Sequence, residues 1–158
     1  AQLVVETRWT ERLHHATPRF PAAHVARTFL HEPGAEAELA AHGEHAFVKG
    51  IRHKPTAAPS PDRIEKGAAG GMADPNWRRG YRALARHDFH FELQAPWWHV
   101  DELLDLVAAF PDTPVVINHS FLPADRSPEA LDGWRLAIRR AATACSLIAR
   151  VARRKRPR

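Results

Sequence analysis

Three short stretches gather side chains able to do chemistry: Arg52-His53-Lys54, Glu92-Leu93-Gln94 and Asn118-His119. Each ends a run of strand character, and in a parallel α/β sheet the working groups collect at the C-terminal ends of the strands. His119 has the widest chemical range, because an imidazole can move a proton near neutral pH or bind a metal ion. Strand alternation puts Val115, Ile117 and His119 on one face, and His119 stands at a barrel's mouth if that face looks inward. The competing reading is a histidine that caps its strand and bonds to a loop. Arg52 and Lys54 share a face, which would set two cations at one rim. A guanidinium holds a carboxylate with two parallel bonds, so Arg52 is a candidate clamp for an acidic substrate; a salt bridge within the rim is the plainer alternative. His53 would point the other way, as a structural residue.

On the next strand Phe89, Phe91 and Leu93 alternate with His90, Glu92 and Gln94. Gln94, nearest the strand end, is a candidate hydrogen-bond donor to substrate. Glu92 lies deeper and is expected to support Lys54 or another cation, since a buried carboxylate without a partner is costly. Trp97 and Trp98 follow at once. An indole there can wall a pocket for a flat ring or a sugar, and one of the two is expected to pack on the following helix instead.

Other candidates are weaker. Of the eleven histidines, His42 and His45 are three apart on a helix and His14-His15 are adjacent; without a third ligand at matching spacing, most of the eleven read as solvated surface residues. No HExxH, GxSxG or phosphate-binding glycine loop occurs. Cys145 has no base beside it and reads as a helix core residue.

The elements that must position these groups follow from periodicity. Helical character covers residues 6–15, 35–45, 75–87, 99–110 and 128–143, with Asp74 and Ser127 as N-caps, each followed by proline. Strand-like runs lie at 23–29, 47–52, 89–94 and 114–119. Val115-Val116-Ile117 is continuous, as in a parallel strand buried on both faces. Helices and strands alternate throughout, which predicts βαβ units and a parallel sheet. The Pro- and Gly-rich stretch from His53 to Ala73 is long for a loop, and reads either as an active-site loop or lid or as a disordered excursion.

Composition sets the bounds. With 158 residues, 44% of them hydrophobic and 26% charged, the chain fits one globular domain. It has no apolar run long enough to cross a bilayer. The single cysteine excludes a disulfide framework. The absence of a secretory signal at the first residues leads to an expected cytoplasmic location. The net charge of +5 comes from the last nine residues, which hold six cations and no acid. The remainder is near neutral, so nucleic-acid binding is expected only through that tail. The start at Ala1 suggests a processed or partial product.

Longer stretches carry a resemblance. GIRHKP at 50–55 and MADPNWRRGYRALARHDFHFELQAPWWHVDELLDLVAAFPDTPVVINHSFLPADRSPEALDGWR at 72–135 resemble the middle of the amidohydrolase-related (amidohydrolase-2) family of lactonases, decarboxylases and metal-dependent hydrolases. The most specific pieces are GIR, DPxWRRGxxxLARH and FPDTPVVINH; a weaker likeness lies in ETRWTERL at 6–13. The resemblance implies a partial (β/α)8 TIM barrel, its four parallel strands corresponding to barrel strands three to six. It implies His119 as metal ligand or catalytic residue, Arg52 facing a substrate carboxylate and Gln94 at the pocket, with a divalent metal such as zinc as cofactor. The activity implied is attack of an activated water on a lactone or related carbonyl compound. The family's first-strand HxH and last-strand aspartate are absent. On this reading residues 1–144 form the barrel-like domain and 145–158 a basic tail foreign to the family. These residues alone are expected to be inactive, marginally stable and prone to self-associate through open sheet edges. Two rivals remain: a nonenzymatic remnant whose tail binds a polyanion, and a small flavodoxin-like sheet.

Overall fold

The computed structural model describes the backbone of residues 2–17 and 20–154 and the side chains of 4–17 and 20–144. Five helices alternate with four strands: α1 (Gln2–Ala16), β1 (His24–Arg27), α2 (Ala35–Gly43), β2 (Val48–His53), α3 (Pro75–Ala83), β3 (His90–Leu93), α4 (Val100–Ala109), β4 (Val115–Ile117) and α5 (Pro128–Arg154). Every strand pair is parallel, and the order across the sheet is β1-β2-β3-β4. A strand order that follows chain order is the winding of a (β/α)8 barrel. A flavodoxin-like sheet would reverse direction at a switch point, so the third reading above is set aside.

Local signals explain the helix limits. The Asp74 carboxylate accepts the N–H of Asn76 at 2.9 Å, and Pro75 occupies the first turn of α3. The helix anticipated over 75–87 is α3 followed by a tighter 3-10 turn, Leu84–His87, closed by Asp88 at φ 55°. Ser127 Oγ accepts the N–H of Ala130 at the start of α5.

The sheet has two unlike faces. Residues paired across the register, Ile51 with Phe91 with Val115 and His53 with Leu93 with Ile117, point toward the helices. There Trp77 and Tyr81 of α3 close on Phe91, with ring centroids 5.5 and 5.2 Å away. All three are fully buried, and aromatic burial of this kind dominates core energetics. Gly80 lets α3 approach so closely that a Cβ there would lie 2.2 Å from the Leu30 carbonyl oxygen. The opposite face carries Arg27, Arg52, Glu92 and Val116 in one register row and Gly50 beside His90 in the row below. Glu6 of α1 reaches the β1 end of this face, and Val116 at its other end is 45% exposed. This is the concave, inward side of a barrel segment.

On α1 the pair Trp9 and Leu13 lies on the solvent side together with Val5, while Val4 and Thr7 turn inward. The side chains of Cys145 and of the basic run from Arg150 to Arg158 lie outside the described residues, so the core role of Cys145 and the polyanion-binding tail concern residues not described.

Candidate functional site

The inward row is built around one carboxylate. Glu92 Oε2 accepts from Arg52 Nε at 2.8 Å and also from a terminal guanidinium nitrogen of the same residue. It accepts a third bond, from Asn118 Nδ2, at 3.2 Å. The tips of β2, β3 and β4 are thus joined through a side chain that is only 12% exposed. Burial pushes the Glu92 carboxyl up, but the bonds from Arg52 and Asn118 and the Arg52 charge outweigh it and hold its pKa below the ordinary value. The cation expected to partner Glu92 is therefore Arg52. Beneath this layer the imidazole of His90 lies over Gly50, where a Cβ would come within 2.4 Å of Nε2.

His119 reaches the rim by a different route from the one alternation implies. Val115 and Ile117 face the helices, and β4 ends at Ile117. The chain then passes through four consecutive left-handed residues, His119, Ser120, Phe121 and Leu122, at φ 52, 50, 64 and 49°. None is glycine, so each costs about 1–2 kcal/mol of backbone strain. The turn persists because it is pinned: Phe121 is fully buried, Trp134 of α5 donates Nε1–H to the Ser120 carbonyl, and Leu122 N–H returns to the His119 carbonyl. His119 is exposed and lines an open depression with Gln94, Leu122, Pro123 and Ala124. The shared face of residues 115, 117 and 119 is thus corrected, and the proximity of His119 to Gln94 arises from the turn.

Arg52 and Lys54 line a separate cleft of about 420 Å³ together with Glu6, Val25, Arg27 and Phe29. Arg27 was not anticipated from sequence. It pairs in register with Arg52 across β1 and β2, and its guanidinium lies 4.3 Å from the centre of the Phe29 ring.

His53 also contributes to the lining of this cleft, while its ring nitrogen turns to the helix side. Its Nδ1 accepts from Trp77 Nε1 at 3.0 Å and from the Leu30 N–H at 3.3 Å. Burial, then the nearby His31 and Arg27, lowers its pKa to about 4, so the ring is neutral and keeps its acceptor.

The two tryptophans hold neighbouring structure. Trp97 packs on Gly133 of α5, where a Cβ would meet the indole at 2.6 Å. Trp98 donates to the Ala58 carbonyl at 3.0 Å, while the Ala58 N–H donates to His99 Nε2 at 2.9 Å. The segment between β2 and α3 is therefore tied to the start of α4. It is also closed on itself, by Thr56 N–H to the Gly70 carbonyl and Gly70 N–H to Asp74.

Metal binding needs convergent ligands, and among the described residues no three His, Cys, Asp or Glu side chains group closely enough to hold an ion. His119 offers one ligand. The described residues do not by themselves fit a metal centre.

The amidohydrolase family model (Amidohydro_2) matches residues 5–152. The uncharacterised protein y4mH of Sinorhizobium fredii is 27% identical over 146 residues, covering 92% of this chain and 48% of that protein. A crystal structure of a Burkholderia multivorans amidohydrolase with bound zinc superposes with a TM-score of 0.66 at 24% identity, over 88% of this chain and 46% of the other. The same enzyme with bound HEPES gives 0.59 at 24% identity, over 78% and 42%. At that identity these likenesses concern the fold, and they agree with a four-strand segment of a TIM barrel. The chain spans about half the length of the proteins it matches.

Proposed function

Because this chain belongs to the amidohydrolase family, we propose that its inward rim is part of a hydrolase site for a lactone or related carbonyl compound. The observation that carries the reading is the bonded series Arg52–Glu92–Asn118, which ties three strand tips together and ends at the residue before His119. Arg52, oriented by Glu92, binds a substrate carboxylate with its remaining N–H groups. Lys54 adds charge to the same wall, Gln94 bonds a substrate oxygen, and the edges of Trp97 and Trp98 border the approach.

In the reaction, water adds to the carbonyl carbon and the ring C–O bond breaks. His119 takes the proton from water and returns it to the leaving alkoxide. Cationic side chains stabilise the oxyanion that forms between these events. A divalent metal such as zinc would use His119 as one ligand and would need further ligands than the described residues supply. The reading assumes a small-molecule substrate and a cytoplasmic setting; no described helix is long and apolar enough to cross a membrane. The unpaired outer edges of β1 and β4 are the surfaces for self-association.

The test has two parts. Incubated with a panel of lactones and zinc, these 158 residues alone should give no turnover above buffer; saturable turnover would overturn the inactivity. Titration with gluconate, a lactone's hydrolysis product, should shift the His119 ring resonances, and gluconate should bind more weakly to His119→Asn. Shifts confined to residues away from the rim would overturn the hydrolase reading.

A further inference from the structure

The 420 Å³ cleft beside Arg52 is lined by three cations, Arg27, Arg52 and Lys54, and one acid, Glu6. Arg27 and Arg52 are register partners on adjacent parallel strands, on the same inward face. Like charges placed side by side in a sheet repel, so the pair calls for a compensating anion. Glu92 meets that need for Arg52. Arg27 has no carboxylate at ion-pair distance among the described residues. It lies instead over the face of Phe29. A guanidinium stacked in this way uses its flat side and keeps its in-plane N–H groups free for a planar acceptor.

We propose that Arg27 is a second substrate-binding residue of the site proposed above, sharing with Arg52 the substrate carboxylate that the hydrolase reading already gives to Arg52. This rests on the hydrolase reading for the word substrate. The cleft's volume suits a ligand of sugar-acid size. Glu92 then has two effects. It holds the Arg52 fork in place, and it offsets half the charge of the pair, so the bound group competes with Glu92 for the same guanidinium.

The experiment uses the chain with glutarate as probe, calorimetry for affinity, and the arginine Nε–Hε resonances for location. Glutarate should shift both the Arg27 and the Arg52 signals. Arg27→Gln should weaken binding by about tenfold, the usual size of one charge-assisted contact. Arg27→Lys, which keeps the charge and loses the fork, should fall between and also covers the case in which the glutamine variant folds poorly. Glu92→Gln should bind glutarate more tightly by releasing Arg52. Arg135→Gln, an exposed change on α5 where Arg135 pairs with Asp132, should bind as the parent does.

Unchanged affinity in folded Arg27→Gln and Arg27→Lys overturns the proposal, as does equal weakening in Arg135→Gln, which would mean diffuse charge attraction. Tighter binding of inorganic phosphate than of glutarate overturns the carboxylate assignment. None of these readouts needs turnover. Glutarate binding that depends on Arg27, in a chain whose His119 ignores gluconate, would sustain the clamp and sink the hydrolase reading.

Discussion

Arg52 and His53 are neighbours on β2 and leave the backbone toward two regions organised by different rules. Arg52 enters the inward row, where charged groups meet each other and water. His53 enters the helix side, stacked between His31 and Trp77 with ring centroids 5.5 and 6.2 Å away. On the helix side His53 Nδ1 and Trp77 Nε1 are paired inside a packed aromatic column. On the inward side Arg27 has no carboxylate at ion-pair distance among the described residues. The difference separates tasks: one face of the sheet stabilises the domain, and the other keeps its binding capacity uncommitted.

That contrast is broken or sharpened most strongly at Trp77. Trp77→Ala should cost about 4 kcal/mol in urea unfolding, whereas Arg27→Ala on the inward face should cost under about 1 kcal/mol, as an exposed side chain does. Equal costs would erase the distinction between the faces. Next comes Gly80→Ala, which should destabilise by about 2 kcal/mol because the added methyl has only the Leu30 carbonyl to occupy.

A third measure is pH. His53 and His42 both have pKa values lowered to about 4, in each case chiefly by burial. Between pH 4 and about 6.5 the unfolded chain binds more protons than the folded one, so stability rises with pH through that window and is lost as pH falls. Melting at pH 5 should occur roughly 10 °C below melting at pH 7. His53→Gln, which keeps an acceptor for Trp77 and cannot be protonated, should narrow the gap. The smallest effect belongs to the rim turn: Ser120→Gly should raise stability by about 0.5 kcal/mol, since glycine adopts φ 50° freely and offsets its own entropy cost. A loss there would mean the left-handed path is held by Ser120 itself.

Much of the fold could be read from local pattern. The 3.6-residue stripe of α4 and the two-residue alternation of β3 gave the elements and the faces of Arg52, Glu92 and Gln94, because both periods are fixed by backbone geometry. His119 shows where pattern stops. Strand alternation was extended two residues past the point where β4 turns left-handed, and a run of four non-glycine residues in that conformation leaves no sequence signal. Its cause is tertiary, in the burial of Phe121 and the Trp134 bond. Arg27 was missed for a related reason. A cation in the middle of a short strand was visible in HVAR, but its neighbour is decided by register between strands, which no single segment encodes. Asn118 was seen at its strand end, yet its bond to Glu92 depends on the same register.

The imidazole of His90 rests on Gly50 in the row beneath Arg52 and Glu92. A side chain withheld at one position thus makes the seat for a ring on the neighbouring strand. Any larger residue at position 50 would drive the ring off that seat, disturbing the charged row from below while every residue in that row stays the same.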